Sequence, residues 1–330
     1  MVAMGGGTGL SRLLKGLKRH VSDDQQGAIA ELCAVVTVSD DGGSSGRLRK
    51  EFNVLPPGDI RNCIAALSED EAMLSRLFQH RFQAGSGLNG HSFGNLFLTA
   101  LTEITGDFAE AVKRSSEILA TRGHIYPATT SDVQLEAIMA DGRRVLGETK
   151  ITASTGRIVE VQLLPADARP LPQTLEAIAT ADLITMGPGS LFTSLVPNLL
   201  VHGIPEAVSA SRAVKIFICN LMTQANESLD LTAADHVRIL NSHAHSRIFD
   251  YALINRTQVS AEVAANYAQE RACQIECDVE RVEAEGVKVI LGDYLEESDG
   301  VARHAAKRVT QDLLKLAMEP RSAATAAPAS

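Results

Sequence analysis

Glycine and hydroxyl residues near the start of the chain form a pattern that suits phosphate binding. The stretch Gly5-Gly6-Gly7-Thr8-Gly9-Leu10-Ser11 follows the apolar residues Val2–Met4, and leucines then recur at helical spacing from Leu10 to Leu17. This order predicts a strand, a glycine turn and an amphipathic helix, although the same order also builds plain βα turns. Glycines let a ligand approach the backbone, and the N–H groups of a helix start favour an anion. The candidate ligand-binding residues in this stretch are Gly6, Gly7, Thr8 and Gly9.

A second glycine turn, Gly187-Pro188-Gly189-Ser190, has the same setting. The strand-like run Asp182–Met186 precedes it, and a helix-prone segment follows it. Ser190 is expected to cap that helix and to donate its hydroxyl to a phosphate. Gly187, Gly189 and Ser190 are therefore further candidate ligand-binding residues.

Two neighbouring aspartates, Asp40 and Asp41, lie in a third glycine-rich stretch, Ser39–Arg47, which also holds the candidate ligand-binding residue Ser44. This loop follows the apolar run Leu32–Val38, a predicted parallel strand. Ligands of open α/β sheets bind beyond the carboxyl ends of strands, so we expect this loop to lie beside the first. The carboxylates could orient a hydroxyl, hold a magnesium–phosphate group or act as a base. Alternatively, they bond their own backbone in a polar turn.

Polar residues near two further predicted helix starts add candidates. Asp59 either caps a helix or is a third catalytic candidate, and Asn62 is a ligand-binding candidate in the same helix. His91 lies in a glycine-flanked loop, where it either contacts a phosphate or sugar or caps the following helix. Asn95 lies one turn further on and is grouped with His91 as a ligand-binding candidate.

The composition excludes several classes of function. A net charge of −9 and a pI near 5.5 argue against general nucleic-acid binding. No apolar run approaches the roughly 20 residues of a membrane-spanning helix, and the glycine loop comes too early for a signal segment. We therefore expect a cytoplasmic protein without membrane insertion.

No metal site is predicted from the histidines and cysteines. His243 and His245 share one face only if their segment is extended, and no third ligand can be named. The pair Cys273 and Cys277 lacks a second pair at zinc-finger spacing, and the odd total of five cysteines argues against a disulfide framework. Exposed helix-end histidines and buried or half-buried free thiols are the expected outcome.

The alternation of apolar runs with helical segments predicts an α/β fold, with a Rossmann-like, doubly wound, mostly parallel sheet in a single domain, 1–318. A long crossover, about 58–125, is expected to form an accessory helical region, and short strands over about 133–164 a small antiparallel β extension. The closing helix is predicted over Val301–Met318, and the tail 319–330, rich in Ala, Pro and Ser, is predicted to be disordered. Only four residues precede the first glycine, so the first strand is short or the coding start lies further upstream.

Five glycine-containing stretches occur in one order along the chain. They are Gly5–Ser11, Asp40–Arg47, Pro56–Asn62, Gly90–Leu96 and Gly187–Ser194. Together they resemble the gluconeogenesis-factor (YvcK-like) family, within the superfamily of the 2-phospho-L-lactate transferase CofD. The resemblance spans residues 1 to about 318, and it implies a Rossmann-like fold and a cytoplasmic bacterial protein.

The resemblance implies a nucleotide-sugar-binding regulator as the first of two alternative functions. YvcK-like proteins look like binders of a UDP-sugar of the UDP-N-acetylglucosamine type, tied to cell shape and to growth on gluconeogenic carbon sources. In that branch Tyr267 and Arg303 match a tyrosine and an arginine that contact the nucleotide sugar. A homo-oligomer and a partner in cell-envelope synthesis are also expected.

The second alternative is a transferase. CofD enzymes move a phospholactyl group from a nucleotide-linked donor onto a deazaflavin precursor with the help of Mg²⁺. Asp40 or Asp41 resembles their substrate-binding acid, and Asp59 is a further catalytic candidate. Magnesium is expected only under this interpretation, and no other cofactor is implied. The regulator is favoured because no motif in the chain demands chemistry.

Overall fold

A computed structural model of the chain describes residues 1–22, 28–69 and 73–319. The predicted tail, apart from Glu319, lies outside the described residues. The strands are β1 (Val2–Gly5), β2 (Cys33–Val36), β3 (His124–Pro127), β4 (Gln134–Met139), β5 (Arg144–Leu146), β6 (Ile158–Leu164), β7 (Leu183–Met186), β8 (Val214–Ile218), β9 (Tyr251–Asn255), β10 (Lys288–Gly292), β11 (Leu295–Ser298) and β12 (Val301–His304). The α-helices are α1 (Gly7–Leu17), α2 (Gly43–Phe52), α3 (Gly58–Leu67), α4 (Met73–Gln79), α5 (Phe93–Thr105), α6 (Phe108–Ile118), α7 (Glu148–Ala153), α8 (Pro172–Thr180), α9 (Val196–Leu199), α10 (Ile204–Ala210), α11 (Ala233–His243), α12 (Ala261–Ala268), α13 (Val279–Ala284) and α14 (Ala306–Met318).

A parallel sheet forms the centre of the fold. Within the described ranges it has seven strands in the order β10-β9-β8-β7-β1-β2-β3. Every residue of β1, β2 and β7 is buried, as expected for strands covered by helices on both faces. The strand order reverses at β1, where Val2 pairs with Cys33 on one side and Ile184 on the other. This reversal is the switch point at which doubly wound folds bind ligands. The predicted fold class is confirmed.

Helix α1 is fixed to the sheet by the leucines that predicted it. Leu10, Leu13, Leu14 and Leu17 are all buried, and the helix packs against α3 and α14. Each buried leucine contributes about 2 kcal/mol relative to an exposed one. The start of α1 therefore has a rigid support.

Helices α2 to α6 lie in the crossover between β2 and β3, and α3 to α6 form the accessory helical region that was predicted over about 58–125. Helix α2 begins at Gly43, so the stretch Ser39–Arg47, predicted as one loop, is a loop only as far as Gly42. The residues of 133–164 form the predicted antiparallel extension, with strand order β5-β4-β6 and the short helix α7 between β5 and β6. This extension brings α7 back towards the Asp40–Asp41 loop.

The prediction of one closing helix over Val301–Met318 is wrong in its first part. Strands β11 and β12 form an antiparallel hairpin, and α14 begins only at Ala306. The hairpin turns at Asp299 and Gly300, which both have positive φ, 54° and 69°. An Asp-Gly pair with left-handed backbone is a strong two-residue hairpin signal, and it prevails over the helical spacing of the apolar residues.

The helices that follow β7 are short and closely spaced. A π-helical turn, Leu191–Leu195, leads into α9, and α10 begins after Gly203 with φ 93°. In the described part of the chain no single helix is long and apolar enough to cross a membrane. One pair, Leu191–Leu199 with Ile204–Ala210, meets the length and composition requirement together but is bent by 76°.

Candidate functional site

The two glycine turns meet at the switch point of the sheet. Gly9 lies so close to the second turn that a Cβ on it would be 2.8 Å from the carbonyl carbon of Pro188. Asn220, at the end of the β8 segment, fixes that turn from the other side. Its Nδ2 donates to the carbonyl of Gly189 at 2.7 Å, and its Oδ1 accepts from the Gly189 N–H at 3.1 Å. The close contact of the two turns therefore needs glycine at position 9.

A cleft with a volume of about 620 Å³ opens between these turns and the β11–β12 hairpin. We call it the glycine-loop cleft. It is lined by Gly6, Gly7, Thr8, Gly9, Ser11, Arg12, Lys15, Pro188, Gly189, Ser190, Ser194, Asn220, Leu221, Met222, Thr223, Gln224, Tyr267, Val301, Ala302, Arg303 and His304. Three of these residues are Arg or Lys, and none of the described lining residues is Asp or Glu. The cleft is therefore suited to an anion.

The start of α1 faces this cleft without a side-chain cap. Gly6 occupies the N-cap position and has no side-chain oxygen that could accept from the N–H groups of the first turn. The N–H of Gly7 donates to the carboxylate of Asp59, which lies behind the loop. The remaining first-turn N–H groups and the partial positive charge of the helix start are the elements that bind phosphate in other proteins.

The hairpin supplies the opposite wall of the cleft. Arg303 donates to Ser298 Oγ and lies 3.7 Å from Asp299 Oδ2, and its side chain is 37% exposed. His304 Nε2 lies 3.0 Å from the carbonyl of Cys219, and burial lowers the pKa of His304 to about 4. The imidazole is therefore neutral near pH 7 and pins the hairpin to β8. Tyr267, on α12, is half-buried and completes the wall.

Ser190 occupies the predicted N-cap position, but the side-chain cap predicted for it is absent. The side chain of Ser190 makes no capping bond, and its Oγ accepts instead from Gln224 Nε2 at 2.9 Å. The N–H groups of Phe192 and Thr193 are taken by the carboxylate of Glu227, at 2.7 and 3.0 Å. A buried acid from a distant segment thus caps the turn after the second glycine loop, and the phosphate-binding end that remains open is that of α1.

Three carboxylates lie on the far side of the first glycine loop. We call Asp40, Asp59 and Glu148 the acidic cluster. Asp59 Oδ2 lies 2.7 Å from the position that a Cβ on Gly6 would take, and Asp40 Oδ2 lies 3.0 Å from that of Gly58. The first distance places Asp59 directly behind the loop, and the second places Asp40 beside the start of α3.

The pKa values of the acidic cluster are raised by the loss of solvent. Burial raises the pKa of Asp59 to about 6, with a smaller increase from Asp40 and an opposing decrease from the Gly7 N–H. Burial also raises the pKa of Glu148 to about 9, and the charges of Asp40 and Asp59 add to the increase. Glu148 is therefore protonated near pH 7, which reduces the repulsion within the cluster.

The hydrogen bonds of the aspartates show what each carboxylate does structurally. Asp59 is not an N-cap, because α3 is preceded by Pro57 and has no side-chain cap. Asp40 Oδ1 accepts from the N–H of Gly42 at 2.8 Å, as in the polar-turn alternative. Asp41 Oδ1 instead accepts from the N–H and Oγ1 of Thr149, at 2.8 and 2.7 Å, and so holds α7 in place.

The remaining predicted ligand-binding residues lie near the acidic cluster rather than in the cleft lining. His91 is buried, with Nδ1 3.0 Å from Ser44 Oγ, and the capping alternative for His91 is wrong because Ser92 caps α5. Asn95 Nδ2 lies 3.5 Å from Ser45 Oγ. Asn62 accepts a hydrogen bond from Arg61 at 2.7 Å.

The chain matches a known family over most of its length. A model of the family described as 2-phospho-L-lactate transferase CofD matches residues 1–295. The chain belongs to the CofD family. It is 49% identical over 317 residues to a putative gluconeogenesis factor of Nostoc sp., covering 96% of this chain and 68% of that one. It is 47% identical over 315 residues to a gluconeogenesis factor of Bacillus subtilis, covering 96% and 97%.

A solved structure shares the fold of this CofD-family protein. The crystal structure of a Bacillus halodurans protein superposes with a TM-score of 0.90 at 46% identity, covering 95% of this chain and 98% of that one. The family and fold implied by the five glycine-containing stretches are both confirmed.

The CofD-family cleft brings together eight of the predicted ligand-binding residues. They are Gly6, Gly7, Thr8, Gly9, Gly189, Ser190, Tyr267 and Arg303. Gly187 lies behind the turn, where its φ is 88° and a Cβ would be 2.7 Å from the carbonyl oxygen of Ile218. Prediction from sequence missed Arg12 and Lys15, although their place in the helix after the glycine loop was a usable signal. It also missed Asn220 and Gln224, which follow β8 at the carboxyl edge of the sheet.

The described residues of this CofD-family protein contain no group of three His, Cys, Asp or Glu side chains arranged to hold a metal ion. His243 is half-buried, not exposed as predicted, with Nδ1 2.8 Å from the carbonyl of Ile239. Cys273 and Cys277 are free thiols, as predicted, but the expectation that both are buried or half-buried is wrong for Cys273, which is exposed. Magnesium differs from zinc because one or two carboxylates with phosphate and water are sufficient to hold it, and Asp40 and Asp59 could supply two.

Proposed function

We propose that this CofD-family protein binds a nucleotide sugar of the UDP-N-acetylglucosamine type in the glycine-loop cleft and acts as a regulatory factor. The observation that carries the proposal is the charge of the cleft. Its described lining combines an uncapped helix start with Arg12, Lys15 and Arg303 and contains no carboxylate. A diphosphate gains from each of these features, whereas a catalytic carboxylate would have to come from outside the described lining.

The proposed ligand has one placement that uses both walls of the cleft. The diphosphate lies on the N–H groups of the Gly6–Gly9 turn, with Arg12 and Lys15 beside it. Tyr267 and Arg303 contact the sugar or the base from the opposite wall. The volume of about 620 Å³ is within the range of small-molecule sites and leaves room for a nucleoside and a sugar.

The biological role is proposed from the relatives. Proteins that are 46% and 47% identical to this chain are named gluconeogenesis factors. We extend that name to a cytoplasmic factor for growth under gluconeogenic conditions and for cell shape, acting as a homo-oligomer on a protein of cell-envelope synthesis. Ligand binding would shift the population of a form that this partner recognises.

Calorimetry with a panel of ligands tests the proposal. UDP-N-acetylglucosamine, UDP-glucose, GDP and NAD are titrated into the full chain with magnesium and again with EDTA, and each mixture is analysed for products after prolonged incubation. We expect UDP-sugar binding that survives chelation, and no product. Magnesium-dependent consumption of any nucleotide-linked donor would contradict a purely regulatory role.

A magnesium-dependent transferase of a phospholactyl-type group is the second candidate, and the acidic cluster favours it. The Gly7 N–H favours the charged form of Asp59, so a carboxylate lies directly against the phosphate-binding turn. Asp40 and Asp59 would hold the ion, which would neutralise phosphate charge when bound. Asp59→Asn would then abolish turnover but leave UDP-sugar affinity within a factor of about two, because the variant leaves the cleft lining intact.

A further inference from the structure

A second recess adjoins the cleft between α1 and α14. It has a volume of about 280 Å³ and is lined by Arg12, Lys15, Gly16, Arg19, His20, Ala306 and Lys307. We call it the basic groove. Arg12 and Lys15 also line the glycine-loop cleft, so the two recesses share a cationic wall.

The charge of the basic groove is unusual for this chain. The protein has a net charge of −9, yet four of the seven described residues that line the groove are Arg or Lys, and no Asp or Glu is among these seven. Arg12 has an acidic partner, Glu296 Oε2, at 2.8 Å. In the described ranges, the side chains of Lys15, Arg19 and Lys307 form no ion pair or hydrogen bond. Like charges gathered in one recess repel each other unless an anion lies between them.

The helix dipole explains only one side of this cluster. Lys15 lies in the last turn of α1, where a cation is favourable. Lys307 lies in the first turn of α14, where a cation is unfavourable, and Ala305 provides no side-chain cap there. An anion in the groove would offset both the repulsion and the uncapped helix start.

The floor of the groove is kept open by small residues. A Cβ on Gly16 would lie 2.7 Å from Thr310 Oγ1 and 3.2 Å from the carbonyl oxygen of Ala306. Thr310 is fully buried, and its hydroxyl has no hydrogen-bond partner among the described residues. The unpaired hydroxyl lies beneath Gly16, where α1 packs so closely on α14 that no side chain fits between them.

We propose that the basic groove binds a small polyanion carrying two phosphate groups, as a second ligand beside the cleft. The volume suits a pyrophosphate or a bisphosphorylated small molecule rather than a nucleotide. Because Arg12 and Lys15 face both recesses, filling the groove changes the charge available to an anion in the cleft, and the two occupancies are coupled. The groove does not depend on the identity of the ligand in the cleft.

Binding of inorganic pyrophosphate is measured by calorimetry at low and at high salt. Inorganic phosphate, a single phosphate group, is the comparison ligand. Arg19→Gln/Lys307→Gln removes two groove cations that do not line the cleft. Arg212→Gln/Lys113→Gln removes the same charge from two exposed positions elsewhere and is the matched control. We expect the groove variant to weaken pyrophosphate binding about tenfold relative to the control. Arg303→Ala should retain pyrophosphate binding in the groove.

Equal pyrophosphate affinity in the groove variant and the matched control would overturn the proposal. So would a loss of all pyrophosphate binding in Arg303→Ala, since the probe would then be bound in the cleft. Thermal unfolding of each variant without ligand gives the second measurement. The groove variant should unfold at a slightly higher temperature than wild type, because two repelling charges are gone, and a lower temperature would show that these cations stabilise the fold.

Discussion

The two faces of the first glycine loop differ in charge although only one layer of backbone separates them. On one face lies the glycine-loop cleft, whose described lining has cations and no carboxylate. On the other lie Asp40, Asp59 and Glu148, with the pKa values of Asp59 and Glu148 raised to about 6 and about 9. The same loop thus offers an anion a favourable face and a repulsive one.

Under the proposed function, this difference in charge would orient a diphosphate in the cleft. A phosphate at the start of α1 is attracted from the side of Arg12 and Lys15 and repelled from the side of Asp59. The carboxylates lose part of their solvation in that position, which is a cost to stability. Variants of the cleft and of the acidic cluster test the two faces separately and distinguish an effect on ligand binding from an effect on stability.

Gly9→Ala should have the largest effect, because it separates the two glycine turns. The new Cβ would lie 2.8 Å from the carbonyl carbon of Pro188, and this contact is backbone that cannot rotate away. We expect UDP-N-acetylglucosamine binding to fall below detection and stability to drop by about 2 kcal/mol. Gly87→Ala is the matched control, since its Cβ would meet open space. Unchanged affinity in Gly9→Ala would mean that the ligand does not use the turn.

Arg303→Ala should weaken UDP-N-acetylglucosamine binding about tenfold, through loss of one charged hydrogen bond. Its side chain bonds to half-buried Ser298 and pairs with exposed Asp299, both in its own hairpin, so the melting temperature should stay nearly unchanged. Arg114→Ala, which breaks ion pairs with Glu110 and Glu117 on α6, is the control for losing a paired surface arginine. A fall in melting temperature as large as the fall in affinity would make Arg303 a structural residue.

The raised pKa values in the acidic cluster should make the stability of the protein depend on pH. The pKa of Asp59 rises from 3.8 to about 6 on folding, so protonated Asp59 contributes fully to the free energy of unfolding below pH 3.8. This contribution is lost as the pH rises through 6. Asp59→Asn should therefore be more stable than wild type by about 1 to 2 kcal/mol at pH 7.5 and equal to it near pH 3.5. For Glu148→Gln the corresponding gain should develop between pH 4.5 and 9.

Melting curves from pH 3.5 to 9.5 measure both differences. Glu280→Gln, at an exposed position on α13, is the control for removing a carboxylate outside the cluster. Parallel curves for wild type and both variants would show that the acidic cluster is solvated and that the two faces do not differ.

Asp41→Ala should have the smallest effect and should spare the ligand. Thr149 loses the acceptor for its N–H and Oγ1, which lie at the start of α7. By analogy with a lost helix cap, we expect a loss of about 1 kcal/mol in stability and no change in UDP-sugar affinity. Calorimetry and thermal unfolding of one preparation test both parts. A change in affinity would show that Asp41 contributes to ligand binding and not only to the position of α7.

Local sequence patterns were sufficient to predict the sheet and the glycine turns. The run Val2–Met4 followed by glycines and spaced leucines forms strand, turn and helix within 17 residues, so nothing distant was needed. The hairpin that carries Arg303 was missed because the helical spacing of its apolar residues competed with the Asp299-Gly300 turn.

The assembly of the site from distant segments could not be predicted in the same way. Glu148 reaches the acidic cluster only because the β extension folds back onto the Asp40–Asp41 loop. Glu227 takes the N–H groups that Ser190 was expected to cap, from a segment 37 residues further along the chain. Neither carboxylate has a local signal, since its role depends on tertiary packing alone. The prediction of a homo-oligomer stays open to measurement.

The span of the cleft along the chain has a consequence for biogenesis. Its walls need both Gly6 and His304, so the pocket is complete only when almost the whole chain has been synthesised. A ligand that binds only the finished pocket stabilises the finished protein and no N-terminal fragment of it. Strand β1 must also wait for β7, some 180 residues later in the chain, before its second edge is paired. Until β7 is present, β1 therefore has an unpaired strand edge and no complete pocket whose ligand could stabilise it.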